Sequence, residues 1–219
     1  MGANDAVNVI REIGQYLPQM TEWRRHIHAH PETAFEEVGT ARYVVERLKS
    51  FGVDEIHEGI AKTGIVAIIN GQGAGPTIGL RADMDALPIE EMTGAEHAST
   101  VPGKMHACGH DGHTVMLLAA ARHLARSRSF DGTIHLIFQP AEEGLAGARR
   151  MMDEGLFRLF FQELERHVRR RQSQSVAVGQ CAEGGSVVED GGKRFDTGEP
   201  RCSCLGEHAF PWLVVSCRV

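Results

Sequence analysis

The chain has 219 residues, 42% of them hydrophobic and 24% charged, which suits one sizeable globular domain and argues against intrinsic disorder. Its formal charge of −6, with no basic stripe before residue 158, argues against a nucleic-acid partner. There is no apolar run approaching the roughly 18 residues of a membrane span, so no membrane partner is expected. Residues 1–20 lack the basic start and continuous apolar stretch of an export signal, which points to a cytoplasmic address. Four of the five cysteines crowd the segment after residue 180, leaving Cys108 alone in the first 157, so a disulfide framework is not indicated.

Taken in chain order, Asp5 to Leu17 carries Val7, Ile10, Ile13 and Leu17 at helical spacing, with Pro18 expected as a stop. Met20 to His28 continues as helix until His30-Pro31. His26, His28 and His30 cannot all share one helical face, and surface clustering is the expectation for them. Glu36 to Phe51 is a clearer amphipathic helix, ended by Gly52. Gly64 to Ile69 is a β-branched strand closed by Asn70-Gly71, and Pro76 to Leu80 is a second strand carrying Arg81-Ala82-Asp83-Met84-Asp85 at its end. Helix is expected over Thr114–Leu124, strand over Gly132–Phe138 and helix over Gly144–Glu154. This alternation predicts an α/β three-layer sandwich with a mainly parallel central sheet. The patterned text stops at Phe157. Residues 1–157 read as one unit, and 158–219 as a divergent, Arg- and Gly-rich tail without an assignable fold.

Chemistry concentrates in two places. Cys108-Gly109-His110-Asp111-Gly112-His113 puts a thiol and two imidazoles beside a helix start, with His106 just before them. A structural zinc site would close with several cysteines, whereas a single Cys among imidazoles and carboxylates suits an open metal site with room for water. Cys108 as thiolate is a strong ligand, and His110 points the same way if the local backbone is extended. Asp111 could orient a liganding imidazole. Gln139-Pro140-Ala141-Glu142-Glu143-Gly144 supplies adjacent carboxylates after a strand, one suited to holding metal and the other to moving a proton. Asp83 and Asp85 share a face if their strand continues, and either is a ligand or an orienter of a metal-bound imidazole. Together these residues point to metal-assisted hydrolysis.

At these residues the chain resembles a family of metal-dependent amidohydrolases that includes hippurate hydrolase, the N-acyl-amino-acid amidohydrolases and the auxin-conjugate hydrolases, within the aminoacylase and carboxypeptidase group of metallopeptidases. The match runs through Arg24-Arg25 with His28 and Pro31-Glu32, Thr63-Gly64-Ile65, Leu80 to Pro88, Met105 to His113, and Gln139 to Gly144. The resemblance implies hydrolysis of the amide of a small N-acyl amino acid and two divalent ions per site (Mn, Zn, Ni or Co). It also implies Cys108, His110 and Glu143 as ligands, Glu142 as general base and Asp85 in a catalytic role. The family's further His ligand is matched in position only by His167, in a different local context. The family's dimerisation domain and last ligand have no counterpart here, so a homodimer is doubtful for this chain. The expectation is therefore an impaired enzyme, or a fragment that binds metal or a partner without turnover.

Overall fold

The computed structural model describes residues 14–160 and three short strands beyond them, at 188–190, 193–195 and 214–217. Helix α1 (Leu17–Ala29) begins at the proline expected to end a helix. Pro18 occupies the first turn, where no backbone N–H donor is needed and its fixed φ is already helical. The expected helix before it falls almost wholly outside the described residues. Helix α2 (Val38–Phe51) buries Thr40, Val44, Val45 and Leu48 and stops at Gly52, whose φ of 76° is left-handed.

Strand β1 (Glu55–Ile60), unforeseen in the sequence, is a half-exposed edge strand with too much polar character to read as one. Ala61 and Lys62, both left-handed at φ 52° and 73°, turn the chain into β2 (Gly64–Asn70). Then come β3 (Thr77–Asp83), α3 (His110–Ser127) and β4 (Thr133–Gln139). Helices α4 (Gly147–Asp153) and α5 (Leu156–Phe160) follow, with β5 (Val188–Asp190), β6 (Lys193–Phe195) and β7 (Val214–Cys217) beyond.

The main sheet has the order β1-β2-β4-β3-β7. One face carries Ile65, Ala67 and Ile69 of β2 with Ile134, Leu136 and Phe138 of β4. Against it pack Trp23 and Ile27 of α1, Val44, Val45 and Leu48 of α2, and Val115, Leu118 and Ala121 of α3. The opposite face carries Val66 and Ile137 beneath Met151 and Leu156. This is the α/β three-layer sandwich expected from the alternation of strands and helices. The sheet, expected to be mainly parallel, is mixed: the β3–β4 pair is parallel, and the pairs β1–β2, β2–β4 and β3–β7 are antiparallel. The reason lies in the connections. A three-residue turn between β1 and β2 can only return the chain antiparallel, whereas β3 reaches β4 through the long crossover that contains α3.

That crossover positions the chemistry. Asp83 and Gln139 are register partners at the carboxyl ends of the two parallel strands. The loops after both strands therefore emerge at the same edge, where open α/β sheets form their crevices, next to the first turn of α3. The loop after β4 is tightly wound. Ala141 and Ala146 are left-handed at φ 51°, and a Cβ on Gly147 would lie 1.7 Å from the Pro140 carbonyl oxygen.

Candidate metal centre

The segment before α3 is held by paired backbone hydrogen bonds between Leu87 and Met105, at 2.9 and 3.0 Å. Gly109 then adopts a left-handed conformation, φ 81°, and is the N-cap of α3. The stretch from Cys108 to His110 is thus not extended. The two residues reach a common point because a glycine reverses the chain between them, a conformation costly for most other residues.

Asp85, only 1% exposed, organises the centre. Its carbonyl oxygen and Oδ1 accept from His110 Nδ1 at 2.9 and 3.2 Å, and its Oδ2 accepts from the Glu143 N–H at 2.9 Å. With Nδ1 committed, His110 presents Nε2 to the cleft, 3.8 Å from Glu143 Oε1 and 3.9 Å from Glu142 Oε2. Ligand atoms of Cys108, His110 and Glu143 all lie within 4.8 Å of one another. β3 ends at Asp83, so strand alternation does not relate it to Asp85, yet both carboxylates meet His110: Asp83 Oδ1 lies 3.6 Å from Nε2. Asp83 Oδ1 is also 2.7 Å from His113 Nδ1 and its Oδ2 is 3.2 Å from an Arg81 nitrogen.

Asp111 does not orient a liganding imidazole. It is fully buried and accepts from His28 Nδ1 at 2.8 Å, Arg24 Nε at 3.1 Å and the Gly112 N–H at 2.8 Å. It thereby ties the first turn of α3 to α1. His28 is accordingly buried, against the expected surface cluster, while His26 and His30 sit apart with rings 4.7 Å from each other. The spacing rule separates His28 from the other two, but only the packing of α1 on α3 turns it inward. His167 lies outside the described residues.

The electrostatics favour a cation here. The Glu143 carboxylate, hydrogen-bonded to the Cys108 thiol, together with burial and the charges of Glu142 and Asp85, pushes that thiol up to about 11. Burial opposes charge on His110, but its Asp85 hydrogen bond and the charges of Asp83 and Asp85 prevail and push it up to about 9. Burial also raises Glu142, with Asp83 and Glu143 adding to it against His110. Burial would raise Asp85, but hydrogen bonds from His110 and from the Glu143 and Glu142 N–H groups hold it below the usual carboxylate range. A thiol, an imidazole and a carboxylate whose ligand atoms lie within 4.8 Å of one another form a donor set that a divalent cation satisfies. A second cluster, Asp83, His110 and His113, shares His110 and already has Arg81 on Asp83, so Cys108, His110 and Glu143 are the better fit.

These shifts make metal-free stability peak near pH 6.5. Burial pushes His106 and His135 down to about 4, so between pH 6.5 and 4 the unfolded chain binds more protons. Stability then falls with pH by up to about 3 kcal/mol for each. His110, raised, acts oppositely: its contribution is complete below pH 6.5 and is lost as pH climbs to 9. Urea unfolding from pH 4 to 9 with a chelator present should trace this dome. A steady rise from pH 6.5 to 9 would contradict the environment described for His110.

With the geometry established, comparison with known proteins is decisive. The sequence model of peptidase family M20/M25/M40 matches residues 79–199. The chain belongs to this family. It is 48% identical over 154 residues to a hippurate hydrolase of Campylobacter jejuni, a stretch covering 70% of this chain and 40% of that protein. An N-acyl-L-amino acid amidohydrolase of Geobacillus stearothermophilus is 46% identical over 148 residues, covering 67% of this chain and 40% of the relative. Among solved structures, the Bacillus subtilis YXEP protein, a dinuclear metal-binding peptidase of the M20 family, superposes with a TM-score of 0.63 at 42% identity, over 66% of this chain and 41% of its own. The chain thus spans about 40% of the length of the curated relatives it matches. The M20 match extends past Phe157 into the segment that looks divergent in sequence. Among the described residues, no helix is long and apolar enough to cross a membrane.

Proposed function

We propose that this M20 chain carries the first part of a catalytic domain for metal-dependent hydrolysis of the amide bond of small N-acyl amino acids, within residues 1–157. The observation that carries the reading is the pair of adjacent carboxylates, Glu142 and Glu143, both within 4 Å of Nε2 of an imidazole whose Nδ1 is held by Asp85. Cys108, His110 and Glu143 would hold a divalent ion, with the soft thiolate and imidazole favouring Zn, Ni or Co and the carboxylate tolerating Mn. Such an ion supplies polarisation of the scissile carbonyl and acidification of water.

The chain's own residues supply the rest. Asp85 fixes the His110 ring and the Glu143 backbone. Glu142, raised by burial, takes a proton from the attacking water as the new C–O bond forms, and returns it to the amine nitrogen as the C–N bond breaks. The products are a carboxylic acid and a free amino acid. Hippurate and other N-acyl amino acids enter as substrates through the relatives' names, and two ions per site through the dinuclear B. subtilis neighbour. His167 is the candidate for a further ligand. A cytoplasmic setting completes the proposal.

One observation favours weaker activity in this chain. Both candidate ligand clusters draw on His110, so the described residues would hold one ion at a time. The second reading is therefore a metal-binding chain with little turnover. Hydrolysis of hippurate and other N-acyl amino acids with Mn²⁺, Zn²⁺ or Ni²⁺, alongside elemental analysis of the chain and its Cys108→Ala variant, separates the two. Metal-dependent turnover supports the enzyme, and metal without turnover supports the second reading. Equal metal content in parent and Cys108→Ala would overturn the site itself.

A further inference from the structure

Glu37, the residue just before α2, is 0% exposed. No chemistry in the proposed reaction uses it, yet a buried carboxylate is costly unless its oxygens are fully engaged. They are engaged by three separate turns. Oε2 accepts the Thr63 hydroxyl at 2.6 Å, Oε1 accepts the Ala141 N–H at 2.8 Å, and the N–H groups of Phe35 and Glu37 itself also donate to the carboxylate.

Each turn contains left-handed residues that are not glycine. Phe35 has φ 62°, Ala61 and Lys62 precede Thr63 at φ 52° and 73°, and Ala141 has φ 51°. Such conformations persist only where surrounding contacts over-determine them. Ala141 directly precedes Glu142 and Glu143. The N–H groups of all three residues point at buried carboxylates: that of Ala141 at Glu37, and those of Glu142 and Glu143 at Asp85. The loop that delivers both glutamates is thus gripped from two sides.

We propose that Glu37 is a positioning residue of the metal centre, fixing the left-handed Ala141 turn and through it the presentation of Glu142 and Glu143 toward His110. This rests on the reading of Glu143 as a ligand. Glu37 touches neither ligand nor substrate. It acts through the backbone, and outer groups that orient ligands are typically worth about ten- to a hundredfold in metal affinity.

The test is titration of the purified metal-free chain with Co²⁺, following the thiolate-to-cobalt absorption from Cys108, at a temperature where circular dichroism shows each variant folded. Glu37→Leu should bind about 10- to 100-fold more weakly while keeping the thiolate band. Glu37→Gln should stay within a few-fold of the parent, because an amide oxygen accepts from Ala141 and its NH₂ donates to Thr63. Thr63→Val, which leaves the Ala141 contact, should lower thermal stability without lowering affinity. If Glu37→Leu does not fold, Glu37→Asp decides, since its shorter reach withdraws from Ala141 and should weaken binding in the same direction. Parent-like affinity in Glu37→Leu or Glu37→Asp, with Glu143→Ala weakened, overturns the positioning role and leaves the ligand reading standing. Parent-like affinity in Glu143→Ala overturns the ligand reading, and the positioning role with it.

Discussion

Replacing Glu142 with glutamine should cut hydrolysis of N-acyl amino acids by roughly 10²- to 10⁴-fold, the usual worth of a general base, while metal content stays that of the parent. Glutamine keeps the shape of the side chain but accepts no proton at the position 3.9 Å from His110 Nε2. Burial and the nearby charges of Asp83 and Glu143 raise this carboxyl toward the range where a base is most useful near neutral pH, with His110 opposing them. Glu143 is the adjacent residue, yet one of its carboxylate oxygens lies within 4.8 Å of ligand atoms of both Cys108 and His110. The two acids therefore differ in what they can hold. The comparison is made at saturating Mn²⁺ against the parent in the same assay, with elemental analysis of both proteins. A Glu142→Gln chain as active as the parent removes Glu142 from the base role.

Asp85→Ala should lower divalent-metal affinity by about 10- to 100-fold and destabilise the metal-free fold by about 3–5 kcal/mol. One carboxylate, 1% exposed, accepts from His110 Nδ1 and from the Glu143 N–H. Removing it leaves His110 Nδ1 only the residue-85 carbonyl at 2.9 Å and releases the Glu143 N–H, so both the imidazole and the glutamate loop are held less firmly. The substitution also strips His110, held up to about 9 by Asp85 and Asp83 against burial, of one of its two counter-charges and of a hydrogen bond. Calorimetric titration with Zn²⁺ and urea unfolding measure the two effects. Unchanged affinity would show that Asp85 supports the fold without orienting the ligand.

The contrast between Cys108 and His28 shows what could be read from the chain alone. Cys108, His110, Glu142 and Glu143 stood out because their chemistry and their places beside strand ends and a helix start are local properties of short segments. Strands β2 and β4 were equally legible, since runs of β-branched residues carry their own propensity. Strand β1 was not, because its Glu-Ile-His-Glu-Gly-Ile sequence forms a strand only by pairing with β2. His28 looked like surface because its partner, Asp111, lies 83 residues away. Glu37 carries no signal in its own segment, and only the meeting of the turns around Phe35, Thr63 and Ala141 engages its buried carboxylate.

The sequence by itself determined the family, the α/β class and the kinds of ligand and base on offer, because these depend on residue type and short spacing. The tertiary structure decided which nitrogen of His110 faces the cleft, which aspartate holds it, and how Gly109 folds Cys108 back toward it. Those choices depend on long-range hydrogen bonds and on left-handed backbone held in place by burial, and no local pattern encodes either.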